Sequence, residues 1–190
     1  ASDAAINAYL EAAAASEDDG VFPARLALAL TRSASLRYGE NPHQRAALYG
    51  GFLDLVEVLH GKELSYNNVV DVQASLALIG EFEDDPGAAV AILKHNTPCG
   101  VGLGAGQAEA YRNAFGTDPD SPFGGIVVSD RPFDVAMAQA VDEIFTEVLV
   151  APAFTEDALA LLRKKKNRRL LRYDAARVAA LRTQLDWKRV

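Results

Sequence analysis

Apolar and polar positions alternate along the chain in a pattern that predicts a layered α/β protein. From residue 88 onward, apolar runs of strand length alternate with segments whose apolar residues recur every three or four positions. The predicted strands span residues 88–93, 125–129, 148–151 and 169–173, and the predicted helices span residues 108–115, 135–145, 156–165 and 175–185. Such alternation is typical of βαβ units, so we predict a three-layer αβα sandwich around a mainly parallel sheet.

The earlier part of the chain has shorter segments. Three strands are predicted there, over residues 26–36, 46–50 and 55–60. Residues 69–82 have apolar positions at helical spacing, and Asn67 or Asn68 is well placed to cap this predicted helix.

The first 20 residues differ in composition from the rest. Residues 1–15 are alanine-rich and helical in pattern, and residues 16–20 form an acidic break. We therefore expect a linker over residues 1–20 and one folded module over residues 21–190. Because the chain starts on alanine inside a helical pattern, we expect it to be a fragment of a longer protein.

Composition excludes several classes of function. The formal net charge of −7 argues against a general nucleic-acid binder, because such domains usually carry excess Lys and Arg. A single cysteine excludes an internal disulfide and a multi-cysteine zinc site, which suits a reducing compartment such as the cytoplasm. No apolar run approaches the roughly 20 residues that span a bilayer, so we expect no membrane partner.

The stretch Leu93–Gly100 ends an apolar strand on a lysine and a histidine. Lys94 and His95 follow the apolar run directly, and a turn with Pro98 and Gly100 comes next. Open α/β sheets bind ligands at the carboxyl ends of strands, where this pair would supply a cation and a proton-transfer group. From this stretch alone, a solvated exit from the sheet is the simpler interpretation, and a catalytic pair is the alternative.

Two partial motifs near this strand fall short of known cofactor sites. The glycines from Gly100 to Gly106 lack the dinucleotide-binding spacing, so a flexible connection is favoured. His95 with Pro98–Cys99 is similar to the zinc-deaminase signature, which also needs a glutamate two residues after the histidine and a second cysteine. Position 97 is threonine, and the chain has no second cysteine, so we expect no metal.

Three more stretches are candidates for ligand contacts, each with an ordinary structural alternative. In Arg37–Gln44, Arg37 offers a planar fork suited to phosphate and Tyr38 a hydroxyl, and the density of distinct polar side chains weakens the alternative of an ordinary capped loop. Gly124 would let the backbone approach a flat ligand, and a tight turn is equally compatible. The basic run Lys164–Arg169 fits the C-terminal cap of a helix, and one member could touch an anionic ligand.

Six stretches in this order resemble one known family. They are LRYGENPHQ (36–44), GKELSYNNVVD (61–71), LKHNTPCG (93–100), DPDSPFGGIVVSD (118–130), EVLVAP (147–152) and KKKN (164–167). Together they are similar to the bifunctional purine-biosynthesis family that combines 5-aminoimidazole-4-carboxamide ribonucleotide (AICAR) formyltransferase with IMP cyclohydrolase. The resemblance covers nearly the whole chain and only the first half of the formyltransferase region. A cyclohydrolase domain would precede residue 1, and a second formyltransferase half would follow residue 190.

The resemblance implies a cytidine-deaminase-like fold without zinc. It also implies that a formyl group moves from 10-formyltetrahydrofolate, as co-substrate, to the 5-amino group of AICAR. Lys94 and His95 would be the catalytic pair. His95 would take the proton of the weakly nucleophilic amine, and Lys94 would stabilise the developing oxyanion or protonate the leaving folate nitrogen.

The same resemblance implies six binding residues and a homodimer with a shared active site. Arg37 and Tyr38 would contact the nucleotide phosphate from the neighbouring subunit, Asn68 and Gly124 would line the nucleotide pocket, Glu147 would contact the ribose, and Lys166 would lie near the phosphate or the folate. The alternative hypothesis is that this fragment alone is an inactive nucleotide-binding or assembly module.

Overall fold

The computed structural model describes residues 5–6 and 29–182, and residues 29–182 form eight strands and six helices. The strands are β1 (Arg32–Leu36), β2 (Ala46–Tyr49), β3 (Val56–His60), β4 (Ala88–Lys94), β5 (Thr97–Gly104), β6 (Ile126–Ser129), β7 (Val148–Ala151) and β8 (Arg169–Tyr173). The helices are α1 (Phe52–Leu55), α2 (Tyr66–Gly80), α3 (Gln107–Thr117), α4 (Val135–Asp142), α5 (Glu156–Leu162) and α6 (Ala175–Leu181).

Most of the predicted elements are confirmed. All four strands predicted after residue 88 form, and the four helices between and after them begin within a residue of their expected starts. Almost all of the predicted linker over residues 1–20 lies outside the described residues, as do residues 21–28 and the tail from residue 183 onward.

The main sheet has six strands in the order β3-β8-β7-β6-β4-β5. Only the pairs β6–β7 and β7–β8 are parallel, whereas β3–β8, β4–β6 and β4–β5 are antiparallel. The prediction of a mainly parallel sheet is therefore wrong, and the sheet is mixed. An apolar run shows that a strand is covered on both faces, but it carries no signal of strand direction.

Helices cover both faces of this sheet and form three layers with it. On one face, Ala88, Val90 and Ile92 of β4 share a buried cluster with side chains of α3, α4 and α5. On the other face, the intervening residues of β4 pack with Val72 and Leu76 of α2 and with residues of α6. Within the described residues, no helix combines the length and the apolar character needed to cross a membrane.

Strand β5 replaces the flexible connection that was predicted for its glycines. Gly100, Gly102 and Gly104 face helix α3, and a Cβ at Gly102 would overlap the backbone of Ala110 and Ala114. The glycines therefore serve close packing of a helix on an edge strand. Glycine alternates with larger residues in this stretch of the sequence. The packed face carries the glycines, so the apolar side chains that usually mark a packed face are absent from it.

Strands β1 and β2 form a separate antiparallel ribbon. Between them, the loop that carries Arg37 and Tyr38 closes with a hydrogen bond from the Gly39 N–H to the Gln44 carbonyl (2.9 Å). A two-stranded ribbon is marginally stable alone, and its loop residues Arg37 and Tyr38 share a cleft with residues 62–65 and Arg169.

An ion-pair network around one buried arginine fixes the loop between α5 and β8. The Arg168 side chain is 0% exposed, and its Nη1 lies 2.7 Å from Asp142 Oδ1, while Lys165 Nζ lies 2.8 Å from the same oxygen. Arg168 Nε also donates to the Thr146 carbonyl at 3.3 Å. The backbone from Lys165 into β8 is therefore held from inside the protein.

Replacing Gly102 by alanine is expected to lower the free energy of unfolding by about 1–3 kcal/mol, because the new Cβ has no room against α3. Gly116→Ala is the matched control, since a Cβ there meets no atom within 4 Å and alanine favours the helix. Urea unfolding of both variants, followed by circular dichroism, tests this difference. Equal stability of the two variants would contradict it.

Asp142 is expected to make part of the stability pH-dependent. Burial raises the pKa of its carboxyl. Hydrogen bonds and charge from Lys165 and Arg168 together lower it by more, so the pKa falls below the ordinary 3.8. A pKa lower in the folded state than in the unfolded state adds stability above the unfolded pKa, and this stability is lost as the pH falls through the folded pKa.

We therefore expect the wild-type chain to lose unfolding free energy below about pH 4 more steeply than Asp142→Asn does. Urea unfolding at a series of pH values measures both slopes. Glu57→Gln is the control, because the exposed pair of Glu57 with Arg172 is screened by solvent. An Asp142→Asn slope equal to that of the wild type would refute the assignment.

Candidate active site at one edge of the sheet

The residues singled out in the sequence converge on one edge of the main sheet. Across this edge, Leu93 at the end of β4 pairs with Ile126, Ile126 pairs with Val148, and Val148 pairs with Arg169. The carboxyl end of β4 therefore lies beside the amino ends of β6, β7 and β8. Lys94 and His95 lie at the carboxyl end of their strand, as predicted, but β4 runs antiparallel to β6, so this end does not meet the carboxyl ends of the parallel strands.

Lys94 and His95 lie where β4 turns back into β5. Lys94 pairs with Thr97, which leaves His95 and Asn96 as a two-residue hairpin turn. Both turn residues are left-handed, with φ of 52° and 62°. Two-residue hairpins of this kind need positive φ at both central positions, and histidine and asparagine adopt such values more readily than most residues. The turn predicted around Pro98 and Gly100 is wrong, since both residues lie within β5.

Glu147 directly precedes β7 and is fixed by its backbone and its side chain. Its N–H donates to the Gly125 carbonyl (3.0 Å), and its carbonyl accepts from the Arg169 N–H (2.9 Å). Its Oε1 accepts from Asn68 Nδ2 at 3.2 Å and from Arg169 Nη1 at 2.9 Å. The carboxylate is thus held by two donors while its side chain stays 38% exposed.

Asn68 reaches Glu147 because of how α2 begins. Ser65 is the N-cap, its Oγ accepts from the Asn68 N–H, and Asn68 Oδ1 accepts from the Ser65 N–H, both at 3.2 Å. The prediction that Asn67 or Asn68 caps this helix is therefore wrong. Asn68 is the third helical residue, and its side chain is the reciprocal partner of the cap.

Arg37 and Tyr38 line a cleft next to the Glu147 cluster, which consists of Glu147, Asn68 and Arg169. Its volume is about 290 Å³, and its walls come from Arg37, Tyr38, Lys62, Glu63, Leu64, Ser65 and Arg169. The Arg37 guanidinium lies 5.9 Å from the centre of the Tyr38 ring. Because Arg169 lines this cleft and also binds Glu147, the cleft and the carboxylate belong to one site.

Gly124 and Gly125 have different roles at this edge. Gly124 has a φ of 76°, and its N–H donates to the Phe145 carbonyl at 2.8 Å, so it forms a tight turn. At Gly125, a Cβ would lie 2.7 Å from the Leu93 carbonyl oxygen. The close backbone approach is therefore at Gly125, and it brings the start of β6 against the end of β4.

The basic run is divided between three environments. Lys166 is exposed in the loop before β8 and makes no ion pair with any residue that the structure describes. Arg168, just before β8, is buried and contacts Asp142, whereas Arg169, the first residue of β8, contacts Glu147. Two adjacent arginines therefore have different partners.

Sequence reasoning missed two residues that join this site together. Arg169 was predicted to begin a strand and to belong to a basic run of which one member could touch an anionic ligand, but it was not singled out for the site. Asp71 was not singled out, yet its Oδ1 accepts from the Asn96 N–H at 2.8 Å. Its signal was its position three residues after Asn68, on the same face of the helix.

No group of three or more His, Cys, Asp or Glu side chains suited to a metal ion occurs among residues 5–6 and 29–182. Cys99 is half-buried near this edge. Burial raises the pKa of its thiol, the Asp118 carboxylate raises it further, and Lys94 opposes them only in part. The thiol is therefore protonated at neutral pH, which makes it a poor nucleophile and a poor metal ligand.

Comparison with known proteins finds curated relatives that share one name. A bifunctional purine biosynthesis protein PurH from Chloroflexus aurantiacus is 54% identical over 89% of this chain and 32% of its own length. The corresponding protein of Myxococcus xanthus is 46% identical over 99% of this chain and 37% of its own length. The chain thus spans about a third of the length of these curated relatives.

Among solved structures, RibD form 1 from Acinetobacter baumannii is similar over 58% of this chain, with a TM-score of 0.42 and 16% identity, which is too remote to carry an argument. The family model described as AICARFT/IMPCHase bienzyme matches residues 1–190. The chain therefore belongs to the AICARFT/IMPCHase bienzyme family.

Proposed function

We propose that this chain forms the first part of an AICAR formyltransferase site within a longer purine-biosynthesis enzyme that also cyclises formyl-AICAR to IMP. One observation carries the proposal: Lys94 and His95 lie at the same sheet edge as the Glu147 cluster and the Arg37–Tyr38 cleft. Family membership and the names of the curated relatives support it.

In the proposed reaction, the 5-amino nitrogen of AICAR attacks the formyl carbon of 10-formyltetrahydrofolate. A bond forms between that nitrogen and the carbon, the bond from the carbon to folate N10 breaks, and a proton moves from the amine to N10. His95 takes the proton from the attacking amine, a contribution typically worth about 10²–10⁴-fold. Lys94 stabilises the developing oxyanion or delivers the proton to N10.

The binding half of the proposed site is polar and divided between phosphate and ribose. The Arg37 guanidinium and the Tyr38 hydroxyl suit the nucleotide phosphate, because a planar fork binds phosphate oxygens in pairs. The Glu147 carboxylate accepts hydrogen bonds from ribose hydroxyls, with Asn68 holding its orientation. The turn at Gly124 adds a wall of backbone to the pocket.

Several finer features belong to the same proposal. The fold is cytidine-deaminase-like and lacks zinc, consistent with a histidine before Pro98–Cys99 and no second cysteine. Lys166, exposed at this edge, binds the phosphate or the folate. The protein works in the cytoplasm as a homodimer in which Arg37 and Tyr38 serve the neighbouring subunit, and the second half of the formyltransferase region completes the site.

A second candidate function follows from the length of the chain. Because it spans about a third of its curated relatives, the isolated chain is alternatively a nucleotide-binding or assembly module without turnover. Intact mass measurement followed by a formyl-transfer assay of the same sample distinguishes the two. Transfer by a sample containing only the 20.3 kDa chain would refute the alternative.

Replacing His95 by asparagine in the full-length protein is expected to lower turnover about 10²–10⁴-fold, because the imidazole base is lost. Asparagine keeps the left-handed turn, so folding and AICAR binding should remain close to wild type. Steady-state formyl transfer, calorimetric AICAR binding and thermal unfolding measure the three effects. Turnover within a few-fold of wild type would remove His95 from the reaction.

Replacing Arg169 by glutamine is expected to weaken AICAR binding roughly ten- to hundredfold, because the Glu147 carboxylate loses a charged donor. Glu147→Gln should have a similar effect, and the double variant should be no worse than the weaker-binding single variant, since both changes remove one shared contact.

The matched control for this pair lies on the same strand. Arg172 pairs with Glu57, and both side chains are more than half exposed. Arg172→Gln should leave the AICAR dissociation constant unchanged. Additive losses for the Arg169 and Glu147 variants would show that the two residues act separately.

A further inference from the structure

The hairpin turn that carries His95 adopts a backbone conformation that histidine and asparagine tolerate but that glycine adopts with less strain. His95 and Asn96 have φ of 52° and 62°, and neither is glycine. Residues with side chains stay in this region only where the surrounding structure holds them there. A contact from outside the turn would therefore help to hold it.

The helix α2 supplies that contact through Asp71. Asp71 Oδ1 accepts a hydrogen bond from the backbone N–H of Asn96 at 2.8 Å, across 25 residues of sequence. Inside the hairpin, the side-chain bond from Thr97 Oγ1 to the His95 carbonyl is long, at 3.4 Å. A carboxylate that accepts from a backbone N–H forms the stronger, charge-assisted kind of bond.

Asp71 lies on a helix that is anchored to the sheet. It follows Asn68 by three residues and shares its face of the helix, while Val72 and Leu76 anchor the helix to the buried face of the sheet. Asn68 in turn bonds to Glu147. One face of a single helix therefore contacts both the turn with His95 and the carboxylate just before β7.

We propose that Asp71 is a positioning residue that holds the His95–Asn96 turn against α2 and so fixes where the His95 ring is presented. This inference rests on the proposed function, because the position of the His95 ring affects turnover only if His95 takes part in the reaction. Asp71 itself is assigned no chemistry. A displacement of about 1 Å in a reacting group can reduce turnover about a hundredfold, so a restraint on the turn has a measurable catalytic effect.

The test compares Asp71→Ala with Asp71→Asn. Asparagine keeps a side-chain oxygen that can accept from the Asn96 N–H, whereas alanine removes the acceptor. The matched control is Asp85→Ala, because Asp85 Oδ1 accepts from the Gly87 N–H at 2.9 Å just before the opposite end of β4.

Two measurements are made on each variant. In the 190-residue chain, hydrogen exchange of the Asn96 amide reports the bond directly. In the full-length protein, steady-state formyl transfer gives kcat and the KM for AICAR. We expect Asp71→Ala to speed Asn96 exchange at least tenfold and to lower kcat about 10–100-fold, with KM changed less than threefold. Asp71→Asn should keep kcat within about fivefold of wild type, and Asp85→Ala should leave both measurements unchanged.

Three outcomes would overturn the proposal. Unchanged Asn96 exchange in Asp71→Ala would show that the bond does not hold the turn. Faster exchange with normal kcat would show that the turn position does not matter to turnover. An Asp71→Asn variant as slow as Asp71→Ala, but with Asn96 exchange as slow as in the wild type, would show that Asp71 acts through its charge and not through the position of the turn. Failure of the proposed function itself appears separately, as normal turnover in His95→Asn.

Discussion

The reciprocal hydrogen bonds between Ser65 and Asn68 fix the first turn of α2, and the candidate site depends on that turn. The Asn68 amide is used at both ends, because its oxygen accepts from the Ser65 N–H and its nitrogen donates to Glu147. A shift of the sequence by one position along the helix would rotate every side chain by about 100°. That rotation would separate Asn68 from Glu147 and also expose Val72, so the polar and apolar contacts specify the same register.

The direction of β4 is the second constraint on the site. Every residue from Ala88 to Leu93 is buried, so the strand is fixed by packing on both faces. It runs antiparallel to β6, and its carboxyl end therefore meets the amino ends of three strands. Only this orientation places Lys94 beside the loops that precede β6, β7 and β8. A parallel β4 would carry the lysine to the opposite edge, far from Glu147.

The sequence predicted well those features that local patterns determine. The buried strands and α2 follow from apolar spacing, and Lys94 and His95 were singled out because a polar pair ends an apolar run. Strand direction, by contrast, depends on pairing between distant segments. The bond from Asn68 to Glu147 joins residues 79 apart, and the bond from Asn96 to Asp71 joins residues 25 apart, so neither leaves a trace in a local window.

The glycines of β5 show a different limit of sequence reasoning. Their alternation was visible, but the same pattern fits a flexible loop and a strand that packs tightly on a helix. Only the backbone of α3 against Gly100 and Gly102 decides between the two. Adjacent arginines were similarly ambiguous, because one basic run contains Arg168 in the interior and Arg169 at the site.

Charge at the site differs in sign from the charge of the chain. The formal net charge is −7, yet Arg37, Lys94 and Arg169 lie at the sheet edge together with the amino end of α2. A helix amino end carries a partial positive charge, which adds to these cations within a few ångströms and little beyond a Debye length. The acidic balance therefore argues against binding an extended polyanion and leaves a small anionic ligand at this edge fully compatible with the electrostatics. The nucleotide monophosphate of the proposed function suits a field set by Arg37, Lys94 and the helix end, since Arg169 and Glu147 offset each other.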